Sequence, residues 1–151
     1  MKLDTSFSLK TLVKSIIDKD IPLISNLANL SAVFKAYFKD VSWSGFYLAN
    51  EYGSLYLGPF QGDVACTFIP LGKGVCGTAA IERKSQLVKN VHEIQNHIAC
   101  SSSTNSELVV PLIKENKVVG VIDLDSDLLN NFTKENQEEL EGIIPLIIDL
   151  F

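Results

Sequence analysis

Cysteine is scarce in this chain of 151 residues: there are three copies, and no two of them form a C-x-x-C pair. An odd number of cysteines does not build a disulfide framework, and it is typical of a protein with free thiols or transient redox chemistry. A chain of this length buries enough apolar surface to fold without disulfides or a metal. Any special use of cysteine therefore concerns function and not stability.

The N-terminus MKLDTSFSLK lacks the apolar stretch and the small-residue cleavage site of a signal peptide. With 46% hydrophobic and 21% charged residues, the composition is that of an ordinary globular protein, neither disordered nor membrane-spanning. We therefore expect one domain over residues 1–151, located in the reducing cytoplasm.

Clustered basic residues are missing as well. The net charge is −5, and the 13 lysines and arginines are scattered along the chain. Binding of nucleic acid needs a concentrated basic surface that neutralises phosphates. The sequence therefore favours a small-molecule ligand and disfavours nucleic acid and membranes as partners.

The spacing of apolar residues changes along the chain. Steps of three and four predict helices over residues 9–17 and 21–40 and after Phe132, with Thr133 as N-cap of the last one. Alternation predicts strands in VSWSGFYL, LYLGPF, ELVVPLI and VVGVIDLDS, and a short helix is expected to begin near Gly74. This order predicts an α+β fold with a mostly antiparallel central sheet flanked by helices.

Two of the cysteines are rivals for the reactive thiol. Cys76 lies in the first turn of the helix that begins near Gly74, where the helix N-terminus and Lys73 would lower the pKa of a thiol. Cys100 lies in a polar loop three residues after His97, and a neighbouring imidazole can activate a thiol. Either cysteine could instead be a buried, inert small hydrophobe.

A metal centre is a further alternative. His92, His97 and Cys100 lie within nine residues, and Cys66 or Cys76 would complete four zinc ligands. Because the spacing matches no compact zinc motif, we predict no metal site.

Two other groups of side chains are candidates for a ligand pocket. Asp123 and Asp125 share a face of one strand, and Glu107 begins the strand next to it. Crowded carboxylates have raised pKa values, so one can donate a proton while another binds a cation. The competing interpretation is a polar strand end that enters solvent. Trp43 and Tyr47 share a strand face too, either as core residues or as walls of a small apolar pocket.

A series of strings in the sequence resembles the free methionine-(R)-sulfoxide reductases, a group of single GAF-domain enzymes. The strings are, in this order, WSGFYL, LGPFQGDVAC, IPLGKGVCGTA, HIAC, NSELVVPL and GVIDLDS. The resemblance covers residues 41–126 and implies a GAF-like fold. It implies a reaction in which a thiolate attacks the sulfoxide sulfur of free methionine sulfoxide, methionine leaves and a sulfenic acid remains. A second cysteine then condenses with the sulfenic acid to a disulfide, which an external dithiol such as thioredoxin reduces, without a bound cofactor.

The same resemblance implies roles for the cysteines. By the match of HIAC, Cys100 is the attacking residue, and by the match of GDVAC, Cys66 is the resolving residue that forms the disulfide with it. Cys76 would be an auxiliary thiol. We adopt Cys100 as the nucleophile, although helix position favours Cys76.

The pocket residues also receive roles from the resemblance. Trp43 and Tyr47 would enclose the methyl and sulfoxide end of the substrate. Glu107, Asp123 and Asp125 would bind its ammonium group and help to protonate the sulfoxide oxygen. Such an acid is needed because a sulfoxide is a poor electrophile until its oxygen is protonated or strongly hydrogen-bonded.

Three positions depart from the family pattern. Asn90 and Ser101 stand where aspartates are expected, and Asn96 stands where a glycine is expected. Asparagine tolerates a left-handed backbone conformation, so the loop can persist. The loss of two carboxylates near Cys100 would favour its thiolate, so these changes concern rate and affinity rather than identity.

The alternative function is a non-catalytic GAF sensor of a small molecule or of redox state. A passive binding module needs neither three thiols nor an acidic pocket, and the reductase is therefore the preferred prediction. A homodimer is also kept as an expectation.

Overall fold

The computed structural model describes residues 1–98 and 100–151. In chain order its elements are α1 (Leu9–Ile16), α2 (Leu23–Tyr37), β1 (Trp43–Ala49), β2 (Leu55–Gln61), β3 (Phe68–Ile69), α3 (Gly74–Glu82), β4 (Gln86–Val88), a 3-10 turn (Val91–Glu93), β5 (Ser106–Lys114), β6 (Lys117–Ser126) and α4 (Lys134–Ile148). The predicted helices and strands are present. In the described parts of the chain, no helix combines the length and hydropathy needed to cross a membrane.

The strands form one sheet in the order β3-β2-β1-β6-β5-β4, and each neighbouring pair is antiparallel. The prediction of an α+β fold with an antiparallel central sheet is therefore confirmed. At the centre of the sheet, Asp125 of β6 lies between Trp43 of β1 and Glu107 of β5. Because directly paired residues point to the same face, these three side chains share one side of the sheet.

Different helices pack on the two faces of the sheet. Helices α2 and α4 pack on one face with α1 beside them, whereas α3 packs on the other against β5 and β6. The first face carries the larger core, which includes Phe34, Phe46, Leu108, Ile122, Leu124 and Leu140. The alternation of β6 therefore directs Ile122 and Leu124 towards the helices, and Asp123 and Asp125 towards α3.

The start of α3 depends on two glycines. Gly74 has a φ of +62°, a conformation that side chains disfavour, and a Cβ there would lie 3.3 Å from Ile98. A Cβ on Gly77 would lie 2.7 Å from the carbonyl oxygen of Pro70. This close packing holds the first turn of α3 at the sheet, and Cys76 lies in that turn as predicted.

Helix α4 begins with a capping box. The Thr133 hydroxyl accepts a hydrogen bond from the Asn136 amide at 3.1 Å, and the Asn136 side chain accepts one from the Thr133 amide at 2.9 Å. The predicted N-cap is therefore confirmed. Both bonds satisfy backbone donors that the helix itself leaves free.

The cap leads to a stability prediction. Thr133→Ala removes the acceptor of an N-terminal amide of α4 and is expected to lower the free energy of unfolding by about 1 kcal/mol. Urea denaturation followed by circular dichroism measures the change. Thr133→Ser keeps the hydroxyl and serves as the control, and an alanine variant as stable as the serine variant would contradict the prediction.

Candidate functional site

A pocket opens on the α3 side of the sheet. Its cavity volume is about 80 Å³, and the space above it is open to solvent. Apart from Cys66, the predicted site residues all line it: Trp43, Tyr47, Cys76, Cys100, Glu107, Asp123 and Asp125. Cys66 is bonded to one of these residues. The structure thus brings the whole predicted set together.

Cys66 and Cys100 form a disulfide, with their Cα atoms 5.2 Å apart and a sequence separation of 34. Cys66 follows β2, and Cys100 lies in the loop between the 3-10 turn and β5. Both side chains are half-buried. The pairing that the resemblance implies is confirmed.

Cys76 is the remaining thiol, and it is 3% exposed. Its Sγ lies 3.9 Å from Oε1 of Glu107. Burial raises the pKa of the Cys76 thiol, and the negative charges of Asp123 and Glu107 raise it further. The prediction from helix position that Cys76 is the activated thiolate is therefore wrong. The helix N-terminus and the exposed Lys73 are outweighed by desolvation and by the carboxylates.

The three carboxylates converge on one patch of the sheet. Glu107 pairs with Asp125 across β5 and β6, and Asp123 is on the same face of β6 two residues earlier. Glu107 and Asp123 are 6% and 5% exposed. The interpretation of Asp123 and Asp125 as a polar strand end in solvent is wrong, because β6 continues to Ser126 between two partner strands.

Burial dominates the electrostatics of this patch. It raises the pKa of Glu107 well above the usual range, and the charges of Asp123 and Asp125 add to the effect. Burial also raises the pKa of Asp123, to about 6, although its neighbours Glu107 and Cys76 oppose the shift. The pKa of Asp125 rises for the same reason, with Asp123 and Asp127 nearby. The patch therefore favours the protonated forms of Glu107 and Asp125, next to a more acidic Asp123.

One oxygen of this patch has no partner. Among the described residues, Oδ1 of Asp123 is buried and receives no hydrogen bond. A buried acceptor without a donor costs about 1 to 3 kcal/mol. Oδ1 of Asp123 is therefore a position where a ligand that donates hydrogen bonds or carries positive charge gains binding energy.

Trp43 and Tyr47 stack with their ring centroids 5.9 Å apart. They are 7% and 2% exposed, and both line the pocket, so they serve as core residues and as pocket walls. The Tyr47 hydroxyl donates to the carbonyl oxygen of Cys66 at 2.9 Å, and the indole of Trp43 donates to that of Asp63 at 3.1 Å. The sheet thus holds the segment that carries Cys66, an attachment that the spacing of residues does not reveal.

The loop that carries Cys100 is fastened to the start of α3 by Asn96. The Asn96 side chain donates to the carbonyl oxygen of Gly72 at 2.8 Å, and its backbone carbonyl accepts from the Gly74 amide at 2.9 Å. Its φ is not in the left-handed region that a glycine would favour. Asparagine is accommodated here through its amide and not through the conformational tolerance expected from the sequence. Ala99, the third residue of HIAC, lies outside the described residues.

Asn90 and His97 also belong to this loop. The side chain of Asn90 accepts a hydrogen bond from the His92 amide at 3.0 Å and caps the 3-10 turn. His97 lines the pocket together with Cys100. Burial lowers the pKa of the His97 ring, and the neighbouring His92 lowers it further, so the neutral form of the ring is favoured.

The zinc set considered from the sequence is not assembled. Over residues 1–98 and 100–151, the donor atoms that come within 4.8 Å of one another belong to Cys76, Glu107 and Asp123, with no histidine among them. His92 instead places Nε2 2.8 Å from Oδ1 of Asn105.

Comparison with known proteins agrees with this geometry. The family model described as "GAF domain" matches residues 35–147. The free methionine-R-sulfoxide reductase of Escherichia coli (strain K12) is 43% identical over 121 residues, which are 80% of this chain and 73% of that protein.

Two solved structures have the same fold. Free methionine-R-sulfoxide reductase from Neisseria meningitidis, in complex with its substrate, superimposes with a TM-score of 0.89 at 38% identity, over 95% of this chain and 86% of that one. The fRMsr of Staphylococcus aureus, also in complex with substrate, gives 0.85 at 41% identity, over 96% and 97%. With a matching domain family, this identity and this coverage, the chain belongs to the GAF-domain family of free methionine-R-sulfoxide reductases.

Proposed function

We propose that the protein reduces free L-methionine-(R)-sulfoxide to methionine and stores the oxidising equivalents in a disulfide between Cys66 and Cys100. The observation that carries the proposal is this disulfide, formed beside a pocket whose floor holds three carboxylates. The similarity to free methionine-R-sulfoxide reductases, with two related structures solved with substrate, supports it.

The chemistry divides into two steps at Cys100. Its thiolate attacks the sulfoxide sulfur as the sulfoxide oxygen takes a proton. The hydroxyl then passes to the sulfur of Cys100, the S–O bond and the new S–S bond break, and methionine leaves while Cys100 becomes a sulfenic acid. The thiolate of Cys66 then attacks the sulfur of Cys100, water leaves, and the disulfide forms. The sulfoxide gains two electrons and the two cysteines lose two, so the cycle needs a reductant before the next turnover.

The carboxylate patch supplies the proton and the charge for this reaction. Glu107 holds a proton in the buried patch and is the proposed donor to the sulfoxide oxygen. The substrate ammonium group has three N–H donors, and the unpaired Oδ1 of Asp123 is an acceptor for one of them. Asp125 adds negative charge on the same face. The methyl and sulfoxide end is proposed to lie against Trp43 and Tyr47.

Several features of the proposal concern partners. An external dithiol such as thioredoxin is proposed to reduce the disulfide, because Cys66 and Cys100 are partly exposed whereas Cys76 is buried. The reaction as written uses no bound cofactor.

Backbone amides near Cys100 and over residues 103–106 are the proposed donors to the substrate carboxylate. A cytoplasmic location and a homodimer remain predictions.

Substitution of each thiol tests the assignment. Cys100→Ser is expected to abolish reduction of the sulfoxide, since no other described thiol faces the pocket in a deprotonated form. Cys76→Ser should retain most of the activity and is the matched control, because it removes one sulfur from the same pocket. The readout is methionine release with a dithiol reductant. Loss of activity in Cys76→Ser with retention in Cys100→Ser would overturn the assignment.

The resolving step has its own test. Cys66→Ser is expected to release about one methionine per chain and then stop when thioredoxin is the reductant, because no intramolecular disulfide forms. Rapid-quench measurement of methionine and trapping of the sulfenic acid with a dimedone reagent would follow it. Sustained turnover with thioredoxin would show that Cys66 is not required.

Stereochemistry separates the enzyme from a sensor. The protein is expected to consume free L-methionine-(R)-sulfoxide and to leave the S epimer, because a fixed thiol, acid and aromatic wall accept one arrangement around sulfur. Chromatography of both epimers after incubation with a dithiol reductant provides the measurement. Binding of the R epimer by calorimetry without consumption would favour the non-catalytic GAF sensor instead.

A further inference from the structure

Cys76 is a buried thiol to which the proposed reaction gives no required step. It does not stand alone, because its Sγ and a carboxylate oxygen from each of Glu107 and Asp123 lie within 4.8 Å of one another. The three residues come from α3, β5 and β6, and all are buried. Three separate elements thus converge on one point at the floor of the pocket.

The charge around this point is unbalanced. No lysine or arginine is among the described residues that line the pocket, whereas Asp125 and Asp127 line it together with the two clustered acids. Oδ1 of Asp123 is buried, has no hydrogen-bond partner among the described residues, and belongs to a side chain that is 5% exposed. The unpaired oxygen, at a point with no balancing basic side chain, indicates that a cation completes the cluster.

The donor set selects the type of cation. Calcium and magnesium prefer oxygen ligands alone, whereas one sulfur and two carboxylates suit zinc and metals of similar softness. With Zn–S of about 2.3 Å and Zn–O of about 2.1 Å, tetrahedral donors lie about 3.6 Å apart. The Sγ of Cys76 and Oε1 of Glu107 are already 3.9 Å apart. The spacing of the donor atoms is therefore close to the spacing that such an ion requires.

We propose that Cys76, Glu107 and Asp123 form a binding site for a thiophilic divalent cation of the zinc type, with water in the fourth position. The protons of the Cys76 thiol and of Glu107 leave to solvent on binding, because the thiolate and the carboxylate are the ligands. The ion lies where the proposed function puts the substrate ammonium group, so that metal and substrate exclude each other. Only this competition rests on the proposed function, since the site itself is defined by the three ligands.

Cobalt(II) titration of the disulfide-bonded protein tests the site, because Cys76 is then its single free thiol. One equivalent of Co²⁺ is expected to produce a sulfur-to-cobalt charge-transfer band in the near ultraviolet, and Zn²⁺ should displace it. Cys76→Ser should abolish the band, and Asp123→Asn should weaken cobalt binding by about tenfold or more. Asp127→Asn removes an exposed acid from the rim of the same pocket and should leave the titration unchanged.

Two outcomes would overturn the proposal: the lack of a charge-transfer band at saturating Co²⁺, or a band whose affinity Asp123→Asn does not alter. Circular dichroism shows whether each variant is folded, and Glu107→Gln replaces Cys76→Ser in the comparison if the serine variant is not. A separate single-turnover assay should show that Zn²⁺ raises the concentration of sulfoxide needed for half-maximal rate. A protein that reduces no sulfoxide but shows the cobalt band would refute the proposed function and leave the metal site standing.

Discussion

The pairing of β6 with β1 on one side and β5 on the other decides which side chains of β6 face the pocket. Side chains alternate along a strand, so a slip of one residue would direct Asp123 and Asp125 into the helix-covered core and Ile122 and Leu124 into the pocket. Burial raises the pKa values of all three carboxylates, which lowers the negative charge that this patch of the sheet has to hold. The proposed reaction, the proposed cation site and the raised pKa of Cys76 all depend on this pairing of β6 with its neighbours.

The redox-active loops are placed on this sheet by a small number of polar contacts. Tyr47 holds the backbone of Cys66 from below, and Asn96 fastens the Cys100 loop to the turn before α3. The disulfide then joins two segments that are 34 residues apart in sequence. Such an arrangement, with loops on a rigid scaffold, suits the proposed reaction, in which the cysteines change partners while the acidic floor stays in place.

Much of the fold could be predicted because its signals are local. The change from helical to alternating spacing located the helices and strands, and Thr133 marked the start of α4. The site was less accessible to this reasoning. Helix position made Cys76 a rival to Cys100 for the reactive thiolate, but the carboxylates that raise the pKa of Cys76 lie on β5 and β6, far away in sequence. The role of Asn96 was also missed, since its partners Gly72 and Gly74 are more than twenty residues earlier.

The amino-acid sequence by itself determined the secondary structure and the placement of Asp123 and Asp125 on one face of a strand. It also determined the family, through strings that contain all three cysteines. Only the tertiary structure decided which thiol is buried, which carboxylates have raised pKa values and which oxygen is left without a donor. The physical reason is that desolvation and charge interactions depend on distances in space. Neighbours such as Cys76 and Glu107, 31 positions apart in the chain, are set by strand register and helix packing and not by local sequence.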